Sequence, residues 1–171
     1  MAILNKNSIQ KNIFILLDYS GLSDINFAYL LGVSDRQIKR IKKGKAEFSI
    51  DNINKACDFF DQSLKDINSD KVVLPPVTLR ENLINIHKTN TEYSSLLDKR
   101  PTITYAINFE LLHNKIFKSS DLTVKEIDQI FRDKQWVFTS SYISLALSRN
   151  KDRIKSEPHP TKKGTFVYSK K

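Results

Sequence analysis

Six basic side chains crowd into a ten-residue segment early in the chain. This segment runs from Arg36 to Lys45 and contains two arginines, four lysines and no acidic residue. Guanidinium and ammonium groups donate hydrogen bonds and carry positive charge, which suits them to phosphate oxygens and to the acceptor edges of bases. The chemistry that this spacing offers is therefore the binding of an anionic partner.

The residues between Ser23 and Lys45 indicate which element carries the basic side chains. Their apolar pattern fits two short helices joined by a tight turn and comprises Phe27, Ala28, Leu31, Gly32, Val33, Ile38 and Ile41. Gly32 is expected to end the first helix, because glycine adopts the left-handed conformation without strain. Ser34 is expected to cap the second helix. With Ile38 and Ile41 facing inward, the basic side chains are left on the outer face.

The second of these helices has dimensions that suit duplex DNA. Ten helical residues span about 15 Å, and the major groove of B-form DNA is about 12 Å wide and admits a helix. We predict a recognition helix over residues 34–43, in which Arg36 and Arg40 contact guanine and Gln37 contacts adenine or a phosphate. Lys39, Lys43 and Lys45 supply charge for the backbone. The full candidate set of this segment is Ser34, Asp35, Arg36, Gln37, Lys39, Arg40, Lys43 and Lys45.

Residues 8–60 resemble the Cro/cI/Xre-type helix-turn-helix of phage and bacterial repressors. The resemblance implies a helical domain that binds double-stranded DNA, and it is compatible with a homodimer. Two positions depart from the family pattern. Family members often have a phosphate-bracing glutamine at the start of the first motif helix, where this chain has Ser23, Asp24 and Asn26. Many members have an acidic residue where this chain has Lys42, which makes the predicted face more basic.

Composition restricts the class of protein. The chain has 171 residues, of which 40% are hydrophobic and four are glycine, so a folded, helix-rich protein is expected. The net charge of +9 favours an anionic partner, either nucleic acid or an acidic membrane surface. The longest apolar run, from Ile13 to Leu17, is far shorter than the roughly twenty residues that a bilayer requires. With no signal peptide recognised, we expect a cytoplasmic protein without membrane association.

A polar stretch that ends in Pro75 and Pro76 suggests a division of the chain. We predict a helix-turn-helix domain over 1–62, a linker over 63–78 and a second domain over 79–171. Residues 1–78 hold 11 Lys and Arg against 9 Asp and Glu, a net +2, whereas residues 79–171 hold 17 against 10, a net +7. The second part is thus the more basic one.

The second part reads as helices followed by a hairpin. A helical pattern covers residues 106–117, and Thr123 and Glu126 form a capping box for the next helix. Ser140 can cap a third helix, in which Ile143, Ala146 and Leu147 are expected to face inward. Strand-forming residues then flank a loop of prolines and lysines between residues 153 and 170. Residues 104–171 resemble a winged-helix domain. The expected fold class is mainly α: a helix-turn-helix bundle plus a second helical domain that ends in a β-hairpin wing.

The winged-helix resemblance implies a second set of DNA contacts. Its third helix would face DNA, and its wing would reach phosphates. Carried over to this chain, those residues are Ser140, Ser141, Tyr142, Ser144, Arg149, Lys162 and Lys163. A helical oligomerisation domain with a basic tail is the alternative interpretation of this part.

Residues typical of catalysis or metal binding are sparse in this sequence. His87, His113 and His159 lie far apart, without the neighbouring cysteines or spaced carboxylates of a metal site. A phosphate-binding glycine loop and an HExxH motif are also missing from the sequence. We therefore expect no metal, no cofactor and no enzymatic activity.

The sequence leaves three functions open. The first is a sequence-specific DNA-binding transcriptional regulator of the repressor type. The second is an antitoxin-type or protein-interaction regulator, in which residues 79–171 bind a partner protein. The third is a replication or recombination accessory of a mobile element, which would use the same DNA contacts as a repressor.

Overall fold

A computed structural model describes residues 3–71 and 73–171. Met1 and Ala2 of the predicted first domain and Val72 of the predicted linker lie outside the described residues. The described chain is mainly helical with a small three-stranded antiparallel sheet, which confirms the expected mainly α class. Among the described helices, none combines the length and the apolar character needed to cross a membrane.

The chain divides into two compact units, Met1–Lys99 and Arg100–Lys171. Each unit has a hydrophobic core of its own. The division lies later in the chain than the predicted linker at 63–78. Residues 64–67 of that stretch are helical, and Leu79, which follows the stretch, is buried in the first core.

Within the described residues of the first unit, the regular elements are all helices. Its helices are α1 (Lys6–Ser20), α2 (Asp24–Leu31), α3 (Asp35–Lys42), α4 (Ile50–Phe60), α5 (Leu64–Ile67), α6 (Leu79–His87) and α7 (Thr91–Leu97). Ile9, Ile13 and Leu17 form an apolar stripe on α1 and are almost fully buried. Helices α6 and α7 add Leu83, Leu96 and Leu97 to the same core, so they belong with the first unit.

A buried arginine holds the ends of two helices of this unit. The guanidinium of Arg80, which is 5% exposed, donates to the backbone carbonyl of Ser20 at 2.6 Å. It also donates to the carbonyls of Leu97 at 2.6 Å and Lys99 at 2.7 Å. Carbonyls near helix ends lack partners within the helix, and Arg80 supplies donors to them.

The second unit alternates short helices with strands. In chain order these are α8 (Ile103–Tyr105), α9 (Lys115–Ser119), β1 (Leu122–Thr123), α10 (Val124–Asp133), α11 (Ser140–Ser148), β2 (Ile154–Pro158) and β3 (Phe166–Lys170). The helical pattern predicted over 106–117 does not form one continuous α-helix. A π-helical turn at Ala106–Glu110 and a 3-10 turn at Leu111–His113 precede α9. The side chain of Asn114 caps α9, which starts a new helix there.

The sheet of this unit has the strand order β1-β3-β2, and both pairs are antiparallel. The predicted hairpin corresponds to β2 and β3, in which Glu157 pairs with Val167. Strand β1 pairs Thr123 with the same Val167 and was not predicted, because two residues give no readable alternation. The core beneath contains Phe117, Ile127, Phe131 and Ile143, all fully buried.

Candidate nucleic-acid interface

The turn between α2 and α3 has the local geometry that the sequence predicts. Gly32 ends α2 with φ of 69°, and its N–H donates to the carbonyl of Tyr29 at 3.1 Å. The hydroxyl of Ser34 accepts from the backbone N–H of Gln37 at 3.1 Å. The glycine thus allows the chain to turn, and the serine satisfies a donor at the first turn of α3.

The two faces of α3 differ sharply in burial. Ile38 and Ile41 are completely buried and hold the helix to the core. Opposite them, the exposed side chains are Arg36, Lys39, Arg40, Lys43 and Lys45, together with Ser34, whereas Asp35 and Gln37 are half-buried. The structure therefore places the candidate residues of the first unit on or beside one outward face.

Three cationic side chains of this face have no bonding partner among the described residues. Within residues 3–71 and 73–171, the side chains of Arg36, Lys43 and Lys45 form no hydrogen bond or ion pair. Lys39 pairs with Asp35 at 2.7 Å, and this hydrogen bond raises the pKa of the Lys39 ammonium. The guanidinium of Arg40 donates a long hydrogen bond, 3.4 Å, to the backbone carbonyl of Lys45. The face therefore presents donors that can reach an external acceptor.

Lys42 behaves differently from the other lysines of the segment. Its Nζ lies 2.5 Å from Oδ1 of Asp24 and 5.4 Å from the centroid of the Phe14 ring. The ammonium is thus directed towards its own unit, where an anion and an aromatic ring stabilise it. Lys42 therefore adds less to the outer face than the sequence suggests.

In the second unit, α11 carries the other helical candidates. Thr139 caps it by accepting from the N–H of Tyr142, so the predicted cap at Ser140 is wrong by one residue. The expected inward residues Ile143, Ala146 and Leu147 are buried. Exposed candidates are Ser140, Ser141, Tyr142 and Arg149, whereas Ser144 is half-buried with its Oγ 3.4 Å from the Tyr168 hydroxyl.

The loop between β2 and β3 exposes Lys162 and Lys163. His159 organises this loop, because its Nδ1 accepts from the backbone N–H groups of Thr161 and Lys162, both at 3.1 Å. The carbonyl of Lys162 in turn accepts from the N–H of Thr165 at 3.2 Å. The lysine side chains thus project from a loop with a defined backbone.

A cleft of about 380 Å³ lies between the first turn of α10, helix α11 and the hairpin. We call it the hairpin groove, and its lining includes Lys125, Ser144, Lys162 and Phe166. Phe166 is 50% exposed. The groove brings Ser144 and Lys162 of the candidate set together. Sequence reasoning missed Lys125 and Phe166, although the capping box just before Lys125 and the strand pattern around Phe166 could have indicated their placement.

The capping box of α10 borders this groove. Glu126 accepts from the N–H of Thr123 at 2.8 Å and from its hydroxyl at 2.7 Å. These hydrogen bonds lower the pKa of the Glu126 carboxyl, and the nearby charge of Lys162 lowers it further. A carboxylate therefore lies near Lys162 of the hairpin loop.

No group of three or more metal-ligating side chains occurs in the part of the chain that the structure describes. Comparison of the chain with protein-family models, curated proteins and solved structures gives no significant match. The geometry and charge of the two candidate surfaces are therefore the basis for a functional assignment.

Proposed function

We propose that this protein is a sequence-specific regulator that binds double-stranded DNA and acts as a repressor-type transcription factor. In this proposal α3 enters the major groove and reads base edges. The second unit adds contacts through α11 and the loop between β2 and β3. The same contacts would serve a replication or recombination accessory of a mobile element, so the proposal concerns DNA binding first and transcription second.

The cationic outer face of α3 is the observation that carries the proposal. Arg36 is exposed and makes no bond to another described residue, while Ile38 and Ile41 on the opposite side are fully buried. The eight residues of α3 span about 12 Å, a length that fits a major groove of about 12 Å width. The left-handed Gly32 and the Ser34 cap support the resemblance to Cro/cI/Xre-type helix-turn-helix proteins.

The order of elements in the second unit supports the resemblance to winged-helix domains. A short strand β1, two helices and a hairpin follow each other along the chain, and β1 pairs with β3. A long apolar helix face without a wing would have favoured a protein-binding antitoxin. The hairpin with exposed Lys162 and Lys163 instead favours contact with a phosphate backbone.

Charge supports the same assignment. Residues 100–171 hold 14 Lys and Arg against 7 Asp and Glu, a net +7. Residues 1–99 hold 14 Lys and Arg against 12 Asp and Glu, a net +2. Six of these basic residues lie between residues 36 and 45. The first unit thus has a local basic helix face, and the second unit has a positive net charge. Both features are typical of proteins that bind the phosphate backbone of nucleic acids.

Selection of bound duplexes from random DNA by the full chain tests the proposal. We expect enrichment of a defined sequence, and two symmetric half-sites about one helical turn apart would also indicate a homodimer. Lys88→Ala, which removes an exposed charge outside both surfaces, should enrich the same sequence. If the selected duplexes show no sequence preference over the input pool, sequence-specific recognition is wrong.

A further inference from the structure

The outward face of α11 is almost uncharged, which is unusual for a helix expected to face DNA. Between Asp133 and Asp152 the chain has no acidic residue, and within α11 itself it has no charged residue. Leu145 and Tyr142 are 45% and 42% exposed on this face. The outward face of α11 is therefore apolar, whereas the outward face of α3 carries guanidinium groups.

The polar groups near α11 are largely occupied within the unit. The hydroxyl of Ser148 donates to the carbonyl of Leu145 at 2.8 Å. The Asn150 side chain donates to the carbonyl of Ala146 at 2.8 Å and accepts from Arg153 at 2.5 Å. An asparagine amide can bind adenine through two hydrogen bonds. The amide of Asn150 instead bonds to groups at the end of α11.

Cations flank the apolar centre of this face. Lys125 and Lys162 line the hairpin groove on the side of Ser144, and Arg149 follows the last turn of α11. The net +7 of residues 100–171 makes the surroundings complementary to a polyanion. The occupant that fits is one with phosphates at its edges and an apolar group between them.

Duplex DNA presents one such apolar group in the major groove, the 5-methyl group of thymine. We propose that α11 selects thymine-containing sequence by packing Leu145 and Tyr142 against thymine methyl groups, while Lys125 and Lys162 contact phosphates. This inference rests on the proposed function and adds the base preference of the second unit. Direct hydrogen bonding to guanine or adenine is then mainly the task of α3.

Replacement of thymine by uracil tests the inference, because it removes the methyl group and preserves base pairing. Duplexes enriched from random DNA by the full chain are remade with deoxyuridine at single thymine positions, and their dissociation constants are measured. For each methyl group that α11 buries, we expect binding about fourfold weaker. In Leu145→Ser, thymine and uracil duplexes should bind equally at those positions.

Two further variants control this experiment. Leu145→Met keeps an apolar side chain and should retain the preference for thymine. Ile116→Ser removes a similarly exposed apolar side chain from α9 and should retain it as well. Thermal unfolding of Leu145→Ser should match that of Ile116→Ser, since both changes are made at exposed positions.

The outcomes separate the inference from the proposed function. Equal binding of thymine and uracil duplexes by the wild-type chain overturns the inference. An unchanged thymine preference in Leu145→Ser also overturns it, because the methyl groups are then read elsewhere and the α11 face is available to a protein partner. A chain with no affinity for any duplex overturns the proposed function itself.

Discussion

The outer faces of α3 and α11 offer a direct comparison, because both helices are short and both bury branched apolar residues on the opposite side. Helix α3 exposes Arg36 and Arg40, whereas α11 exposes Tyr142 and Leu145. In the first unit a single helix thus carries both the charge and the donors that can read bases. In the second unit the helix is neutral, and the candidate cations Lys162 and Lys163 lie on the hairpin loop instead. Single substitutions should therefore have different consequences in the two units.

The largest effect is expected from removal of Arg36. We expect Arg36→Ala to weaken binding to the selected duplex by about 1 to 3 kcal/mol, because a bidentate contact to guanine is lost. Binding to random duplex should decline less. Competition measurements with both duplexes give the two affinities.

Two variants sharpen that test. Arg36→Lys keeps the charge and loses the planar pair of donors, so it should bind random DNA normally and still lose selectivity. Lys88→Ala should leave both affinities unchanged. If Arg36→Ala reduced both affinities equally, Arg36 would be a phosphate contact, and the contrast between the two helices would weaken.

The hairpin loop should show the opposite pattern. We expect the double variant Lys162→Ala/Lys163→Ala to bind every duplex about tenfold more weakly at 0.1 M salt and to reduce the salt slope by about 2. Selectivity should persist, because phosphate contacts carry little sequence information. Affinities of the selected and a random duplex across a salt series measure this. A loss confined to the selected duplex would show that the loop reads bases.

A smaller effect on stability is expected at the turn before α3. Gly32 has φ of 69°, so Gly32→Ala should lower the free energy of unfolding by about 1 kcal/mol. Gly32→Asn should cost less, since asparagine tolerates the left-handed region better. Chemical denaturation of both variants measures the difference. Equal losses would indicate that the position responds to bulk near Lys55, whose Nζ would lie 3.5 Å from a Cβ added at Gly32, rather than to φ.

The smallest effect concerns two capping boxes, that of α4 in the first unit and that of α10 in the second. The box of α4 uses Asn52, which does not titrate, whereas that of α10 uses Glu126. Because the pKa of Glu126 is lowered in the folded protein, its contribution is present above the usual value of 4.5 and is lost as the pH falls through the lowered pKa. Glu126→Gln should cost less than about 0.5 kcal/mol at pH 7, since the site is exposed.

The comparison of unfolding curves at pH 7 and pH 3 checks this expectation. The difference between the wild-type protein and Glu126→Gln should shrink at the lower pH. Asn52→Ala in the first unit provides the matched control, because its cost should vary little between the two pH values. If Glu126→Gln still differed from the wild-type protein in free energy of unfolding at pH 3, the effect would come from packing or hydrogen-bond geometry rather than from the charge of Glu126.

Local patterns predicted much of what positions the candidate site. The spacing of Ile38 and Ile41 was sufficient to assign the two faces of α3, and both residues are fully buried. Gly32, Ser34 and the Thr123 capping box were readable because each acts within a few residues of its own position. The inward residues of α11 followed from the same periodicity.

Long-range contacts were not readable in this way. Helices α6 and α7 join the first core through side chains whose partners lie far away in sequence, so the composition change near Pro75 suggested an earlier division. The ion pair between Lys42 and Asp24 joins residues from different helices. Strand β1 consists of two residues and exists only because β3 lies beside it.

Arg80 decides where this protein can be shortened. A fragment that stops at residue 78 would lack this guanidinium and the leucines of α6 and α7, so the carbonyl of Ser20 would lose its donor and apolar surface of the bundle would be uncovered. Such a fragment is expected to aggregate during expression. A fragment that ends after Lys99 keeps all three acceptors of Arg80 and is the better starting point for crystallisation of α3 with a duplex.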